Sequence, residues 1–276
     1  MWRFDQIGVW SEVKLEILKQ YAAAYSTILN AQRAPVLHHV YVDAFAGAGL
    51  NISKSSGEFI PGSPVNALSV RPPFREYHFI DLDRTKAGTL RDLAAARKDV
   101  HVHEGDCNEI LLERIFPQIK FEDYRRGLCV LDPYGLHLDW EVIRTADTMG
   151  SIDTFLNFPV MDINRNVLWR KPEAAGKADI ARMNRFWGDD SWRTIAYPSV
   201  PGLFGPMHEK ASNDVIAEAF RARLMTTAGF KRVTKPLPMR NSRGAVVYYL
   251  FFASQKPVAN NIVADIFRKY RRHGER

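Results

Sequence analysis

Short apolar runs alternate with helix-length amphipathic ones five times along this chain, and two further strand-like runs close it around a four-residue turn. The first five fall at residues 39–46, 77–81, 100–103, 127–131 and 152–158, and each is followed by a helical pattern. Neighbouring parallel strands need a crossover between them, so such alternation implies a parallel sheet with helices on both faces. The last two runs, 230–239 and 246–254, flank Asn241-Ser242-Arg243-Gly244, a turn that forces the final strand antiparallel to its predecessor. The expected fold is α/β, a doubly wound seven-stranded and mostly parallel sheet with an antiparallel last strand.

The 276 residues suit a single domain with an elaboration. Ser11 is expected to cap an N-terminal helix within 1–30 that buries Leu18, Tyr21, Tyr25, Ile28 and Leu29, with Lys14 in the middle of that face. Ser63 caps a short helix after Gly62. Residues 160–211 break the alternation and read as a largely helical insertion or lid, whose tryptophans Trp169, Trp187 and Trp192 suit its own small core better than base stacking. A basic helix is expected over 257–276.

No apolar run approaches the roughly 20 residues of a membrane helix, and no signal pattern opens the chain, so a cytoplasmic location is expected. Two cysteines, Cys107 and Cys129, exclude a disulfide framework. His101 and His103 alternate on one strand without a carboxylate cluster, and no metal is expected. Residues 221–276 hold 13 Lys/Arg against Asp265 and Glu275, a net of +11; the whole chain is +7, which leaves −4 for residues 1–220. Such asymmetry permits a polyanionic partner and equally a solvated basic tail.

In open α/β sheets ligands bind beyond the carboxyl ends of the strands, and here the first four strands all end in acids. The first gives Asp43-Ala44-Phe45-Ala46-Gly47-Ala48-Gly49, where glycines let a ligand approach the backbone and the acid suits an ammonium. Asp81, closing the second, suits ribose hydroxyls, while Asp106 with the Cys107 amide suits an adenine edge. A cation on an apolar helix face needs a partner, so Lys14 would pair with a ligand carboxylate or a structural acid, or snorkel. The fourth strand runs into Asp132-Pro133-Tyr134-Gly135, where a carboxylate and a main-chain carbonyl can accept from an exocyclic amine while a ring stacks on its base.

A parallel sheet with one reversed seventh strand resembles the class I methyltransferase fold, which implies S-adenosylmethionine as cofactor. The Asp-Pro-aromatic-Gly run looks like the acid–Pro–Pro–aromatic motif of amino-methyltransferases with its second proline missing, nearer the tRNA dimethylguanosine enzymes. Trp10-Ser11-Glu12-Val13-Lys14-Leu15, the Asp43 loop, Gly62-Ser63-Pro64, Gly105-Asp106-Cys107-Asn108, Leu131 to Gly135, Asn157-Phe158-Pro159 and Asn164-Arg165 together resemble the three-Cys-motif partner proteins. That resemblance implies a partner carrying three cysteines, itself similar to radical S-adenosylmethionine proteins, and no particular substrate.

The expected function is methylation of an exocyclic amine of DNA or RNA by Asp132, Pro133 and Tyr134. Lys14, Asp43, Phe45, Gly47, Gly49, Asp81, Asp106 and Cys107 would hold the cofactor, and Asn157 and Arg165 the substrate. Two alternatives stay open: a methyltransferase for a small amine or modified nucleotide, and a regulatory or scaffolding subunit that binds cofactor without turnover.

Overall fold

The computed structural model describes residues 5–170, 172–202 and 205–273. Residues 1–4, part of the expected lid and the last three positions of the expected basic helix therefore lie outside the described residues.

The central sheet is built from β1 (His38–Asp43), β2 (Glu76–Asp81), β3 (Val100–Glu104), β4 (Arg125–Leu131), β5 (Ile152–Phe158), β6 (Leu237–Arg240) and β7 (Val246–Ser254). Its order is β3-β2-β1-β4-β5-β7, with β6 on the outer side of β7. The first five strands are parallel, and β7 runs antiparallel to both β5 and β6. This is the predicted architecture, with the topological switch between β1 and β4. One strand is added to the expected seven: the run at 230–239 breaks into Arg232–Val233 and β6, both paired to β7. Pro236 and Pro238 lack the N–H that a continuous strand would donate.

Helices α1 (Val9–Asn30) and α10 (Pro257–His273) cover one face together with α2 (Ser63–Ser69) and α3 (Arg84–Leu93). The other face is covered by α4 (Cys107–Ile110), α5 (Trp140–Met149), α6 (Val160–Asn166), α7 (Lys177–Trp187), α8 (Trp192–Ala196) and α9 (Asn213–Arg223). The two apolar clusters meet the sheet from opposite sides, as the alternation of side chains along a strand requires.

Local departures from expectation have local causes. Helix α1 starts two residues before Ser11, with extended Gly8 at its cap and the Ser11 amide donating to the Gly8 carbonyl at 2.9 Å. Its buried face takes in Lys14, Leu15 and Ile17, and Ile28 is exposed. Gly62, not Ser63, caps α2. The stretch 50–61, expected as a loop, forms a hairpin of Leu50–Ser53 and Phe59–Pro61, and the strand Asp5–Ile7 adds to it in parallel. In the insertion Trp187 and Trp192 are buried and donate to Ser191 (3.0 Å) and Asn184 (2.7 Å), while Trp169 is exposed. Trp187 and Trp192 thus join the main core on this face of the sheet, instead of the separate small core expected of the insertion. No described helix is long and apolar enough to cross a membrane.

Helix α1 is tied to the sheet by more than apolar contact. The Tyr21 hydroxyl donates to Asp153 Oδ2 at 2.7 Å, and the ring packs edge-on against Phe155 and Phe252. Tyr21→Phe keeps the ring and removes one donor from a carboxylate, so it should cost roughly 1.5–3 kcal/mol of stability. Urea unfolding at pH 8 reads this directly; an unchanged midpoint would show that the bond contributes nothing.

Candidate active site

At the carboxyl edge of the sheet, beside the switch between β1 and β4, lies a cavity of about 600 Å³. Of the residues singled out from sequence, Lys14, Phe45, Gly47, Gly49, Asp132, Pro133, Tyr134, Asn157 and Arg165 all line it. Segments separated by more than 150 residues thus converge on one chamber. The N-terminal strand Asp5–Ile7 and Tyr248 of β7 line it as well and escaped sequence reading. Three strand residues give too short a pattern to detect, whereas Tyr248 was visible only as part of a tyrosine-rich last strand.

Helix α1 carries Lys14 over the end of β4, where its ammonium forms a close ion pair with Asp132 Oδ2. Lys14 is buried, and its Nζ also stands 5.1 Å from the centre of the Tyr248 ring. Burial pulls the ammonium pKa down, yet attraction from Asp132, with Tyr248 and Tyr134 adding to it, outweighs that and leaves the pKa raised. Of the partners foreseen for Lys14, the structural acid is the one seen, and it is the acid of the Asp-Pro-Tyr-Gly turn.

Tyr134 projects from that turn with 73% of its surface exposed, which leaves its ring face available to a planar ligand. Lys86 Nζ lies 5.9 Å from its ring centre and bridges to Asp5 at 2.7 Å, so the N-terminal strand and the tyrosine share one cation. Gly135 has φ +85°, and a Cβ there would stand 2.8 Å from Asp162 Oδ2. Any other residue there would be strained by the positive φ and would force the Asp162 side chain to move. A Cβ on Gly62 would meet the Gly49 carbonyl oxygen at 2.9 Å, so the two glycine segments pack backbone to backbone.

The acids of the other strand ends play different parts. Asp43 is fully buried beneath the glycine loop, where Oδ1 accepts from the Phe45 amide at 3.2 Å; it supports the cavity from below and does not line it. Burial pushes its pKa up to about 7, with hydrogen bonds from Ser63 and the Phe45 amide opposing the rise. Asp81 accepts from the Gly47 amide at 2.8 Å and from the Asp83 amide at 2.8 Å, fixing the loop between the first two strands. Asp106 and Cys107 do not reach the chamber: Asp106 caps α4 by accepting from the Asn108 amide at 2.8 Å, and Cys107 is buried behind it. A strand-end acid followed by a helix serves as the helix cap unless the loop carries it outward.

Asn157 Oδ1 and Asp162 Oδ2, on residues lining the chamber, and Asp43 Oδ2 beneath it are buried and accept no hydrogen bond from the described residues. Arg165 is exposed at the rim with no ion pair among the described residues. Elsewhere, His78 stacks between His101 and His103 and bonds to Glu76 at 2.9 Å, and no described group of three or more His, Cys, Asp or Glu could hold a metal ion.

No protein-family model matches the chain, and no curated protein matches it in sequence. Solved structures do. Protein LPL1258 from Legionella pneumophila, of family model DUF519, is similar over 94% of this chain and 90% of its own, with a TM-score of 0.55 at 14% identity. Trm1 from Pyrococcus horikoshii, solved with S-adenosyl-L-methionine, is similar over 91% of this chain and 58% of its own (TM-score 0.44, 11% identity). The putative methyltransferase yhhF from Escherichia coli gives 52% and 70% (TM-score 0.33, 16% identity). The first likeness is one of fold along nearly the whole chain.

The unusual proton affinity of Asp43 sets a pH dependence. Its folded-state pKa lies above the ordinary value of 3.8, so its contribution to stability is complete below about pH 4 and is lost as the pH rises through about 7. Asp43→Asn should therefore match the parent near pH 4 and exceed it at pH 8, by at most roughly 4 kcal/mol. Urea unfolding of both proteins at several pH values tests this, and a gap that does not widen with pH would refute it.

Proposed function

We propose that this chain is an S-adenosylmethionine-dependent methyltransferase that modifies an exocyclic amine of a nucleic-acid base. One juxtaposition carries the proposal: the Asp132-Pro133-Tyr134-Gly135 turn and the Phe45-to-Gly49 loop face a single cavity at the switch point of a doubly wound sheet. The cofactor, when bound, supplies a methyl group on a positively charged sulfur. The unpaired buried oxygens of Asn157 and Asp162 fit a ligand that brings donors and positive charge. Phe45, Gly47 and Gly49 would hold it, with Asp43 supporting the loop, Asp81 fixing it through Gly47, and Lys14 facing its carboxylate. Asp106 and Cys107 do not line the cavity, and a role for them at the adenine edge has no support in the geometry.

Lys14 orients the Asp132 carboxylate through Oδ2, while no described residue donates to Oδ1. Asp132 Oδ1 and the Pro133 carbonyl can accept the two N–H groups of an exocyclic amine, which turns the nitrogen lone pair out of conjugation and toward the methyl donor. Tyr134 offers a stacking face to the base, and Arg165 a guanidinium to its phosphate. The chain needs no nucleophile of its own for this chemistry. The sequence resemblance adds a partner protein with three cysteines, which we propose acts together with this chain.

Calorimetry with S-adenosylhomocysteine, with nicotinamide dinucleotide as the control, should show binding of the former alone. Asp132→Asn should lower methyl transfer to DNA or RNA about a hundredfold or more while cofactor affinity largely survives. Full activity in that variant would remove Asp132 from the reacting centre. Cofactor binding with no transfer to any nucleic acid, partner present, would mark a regulatory subunit.

A further inference from the structure

A second concavity, of about 690 Å³, lies on the outer side of β7 between α9, β6 and α10. Arg221, Lys235, Arg240 and Arg271 line it against two acids, Asp214 and Glu218. Both acids are engaged: Asp214 Oδ1 accepts from the Tyr249 hydroxyl at 2.5 Å, and Glu218 pairs with Arg221 at 2.7 Å. Arg240, Arg271 and Lys235 have no ion pair among the described residues, and the groove carries a surplus of positive charge.

The guanidinium groups are held in place by main-chain carbonyls. Arg271 Nη2 donates to the carbonyls of Lys235 and Pro236, both at 2.7 Å; Arg240 Nη1 donates to Gly244 at 2.8 Å; and Arg221 Nη1 donates to Val233 at 3.1 Å. Each guanidinium has five N–H groups, so each keeps donors beyond those spent on its anchor. Side chains already immobilised lose little entropy when an anion arrives.

The groove adjoins the candidate active site. Tyr248 lines the site and Tyr249 lines the groove, because consecutive residues of β7 face opposite sides of the sheet. Helix α6 links the two: Arg165 lines the site, while the preceding Asn164 donates to Asn213 Oδ1 at 2.9 Å, next to Asp214 of the groove. The groove thus begins one hydrogen bond away from the helix that carries Arg165 at the rim of the chamber.

We infer that this groove is the track for the phosphodiester backbone of a single-stranded polynucleotide whose target base enters the chamber beside Asp132. Several anchored cations spread along an open groove suit a repeating anion, whereas a lone small anion is held by donors converging on one point. This inference rests on the methyltransferase proposal only for the identity of the entering base.

The test uses the full chain, a single-stranded RNA oligonucleotide and its DNA equivalent, with a nucleoside monophosphate as the small-anion control. Affinities are measured by fluorescence anisotropy at several salt concentrations, and S-adenosylhomocysteine affinity by calorimetry. The double variant Lys235→Gln/Arg240→Gln should bind oligonucleotide about tenfold more weakly at low salt, with its log–log salt slope reduced by about 1.4, two phosphate contacts at roughly 0.7 each. Cofactor affinity should stay at the parental value. Because Arg240 also anchors the turn, Lys235→Glu alone serves as a second variant that touches no structural bond, and it should weaken oligonucleotide binding in the same direction. Oligonucleotide affinity and slope unchanged in both variants would overturn the inference, as would monophosphate binding as tight as oligonucleotide binding. Variant-sensitive oligonucleotide binding without any cofactor binding would support the groove and refute the cofactor proposal.

Discussion

The ion pair between Lys14 and Asp132 is the interaction on which the organisation of the chamber depends. A lysine in the middle of an apolar helix face can be buried only where an opposite charge meets it, and the one that meets it ends the central strand β4. Together with the Tyr21–Asp153 bond, that pair ties the inner face of α1 to the sheet at two points. The N-terminal strand reaches the hairpin just before α1 begins and contributes a wall to the cavity.

Around this pair the chamber is assembled from rigid pieces. The glycine loop is held from behind by Asp81, from below by Asp43, and from the side by the close approach of Gly62. The Asp-Pro-Tyr-Gly turn approaches the Asp162 side chain of α6 closely because Gly135 has no side chain. Ligand-facing groups are thereby positioned before any ligand arrives, which lowers the cost of ordering them on binding.

Much of this was legible in the sequence because it follows from periodicity. The five parallel strands and the reversed last strand were read from apolar runs and a turn, since burial on both faces leaves a continuous signature. The convergence of Asp132, Gly47 and Asn157 was legible because strand ends in such sheets share one edge. What stayed hidden depends on partners distant in sequence. Nothing near Lys14 reveals that its counter-charge lies 118 residues away. Asp106 matches Asp81 as a strand-end acid, and only the path of the following chain makes one a helix cap and the other a brace for the glycine loop. The Asp5–Ile7 strand exists because an edge was available at residues 50–53, not because of any pattern of its own.

The broken edge strand has a consequence of a different kind. An open β-sheet border is a template on which further copies of a chain can assemble. Here the border beyond β7 is split between Arg232–Val233 and Leu237–Arg240, and Pro236 and Pro238 deny a newcomer the amide hydrogens that a continuous ladder requires. The same interruption that makes two short strands read as one in the sequence thus works against fibrous self-association along this border.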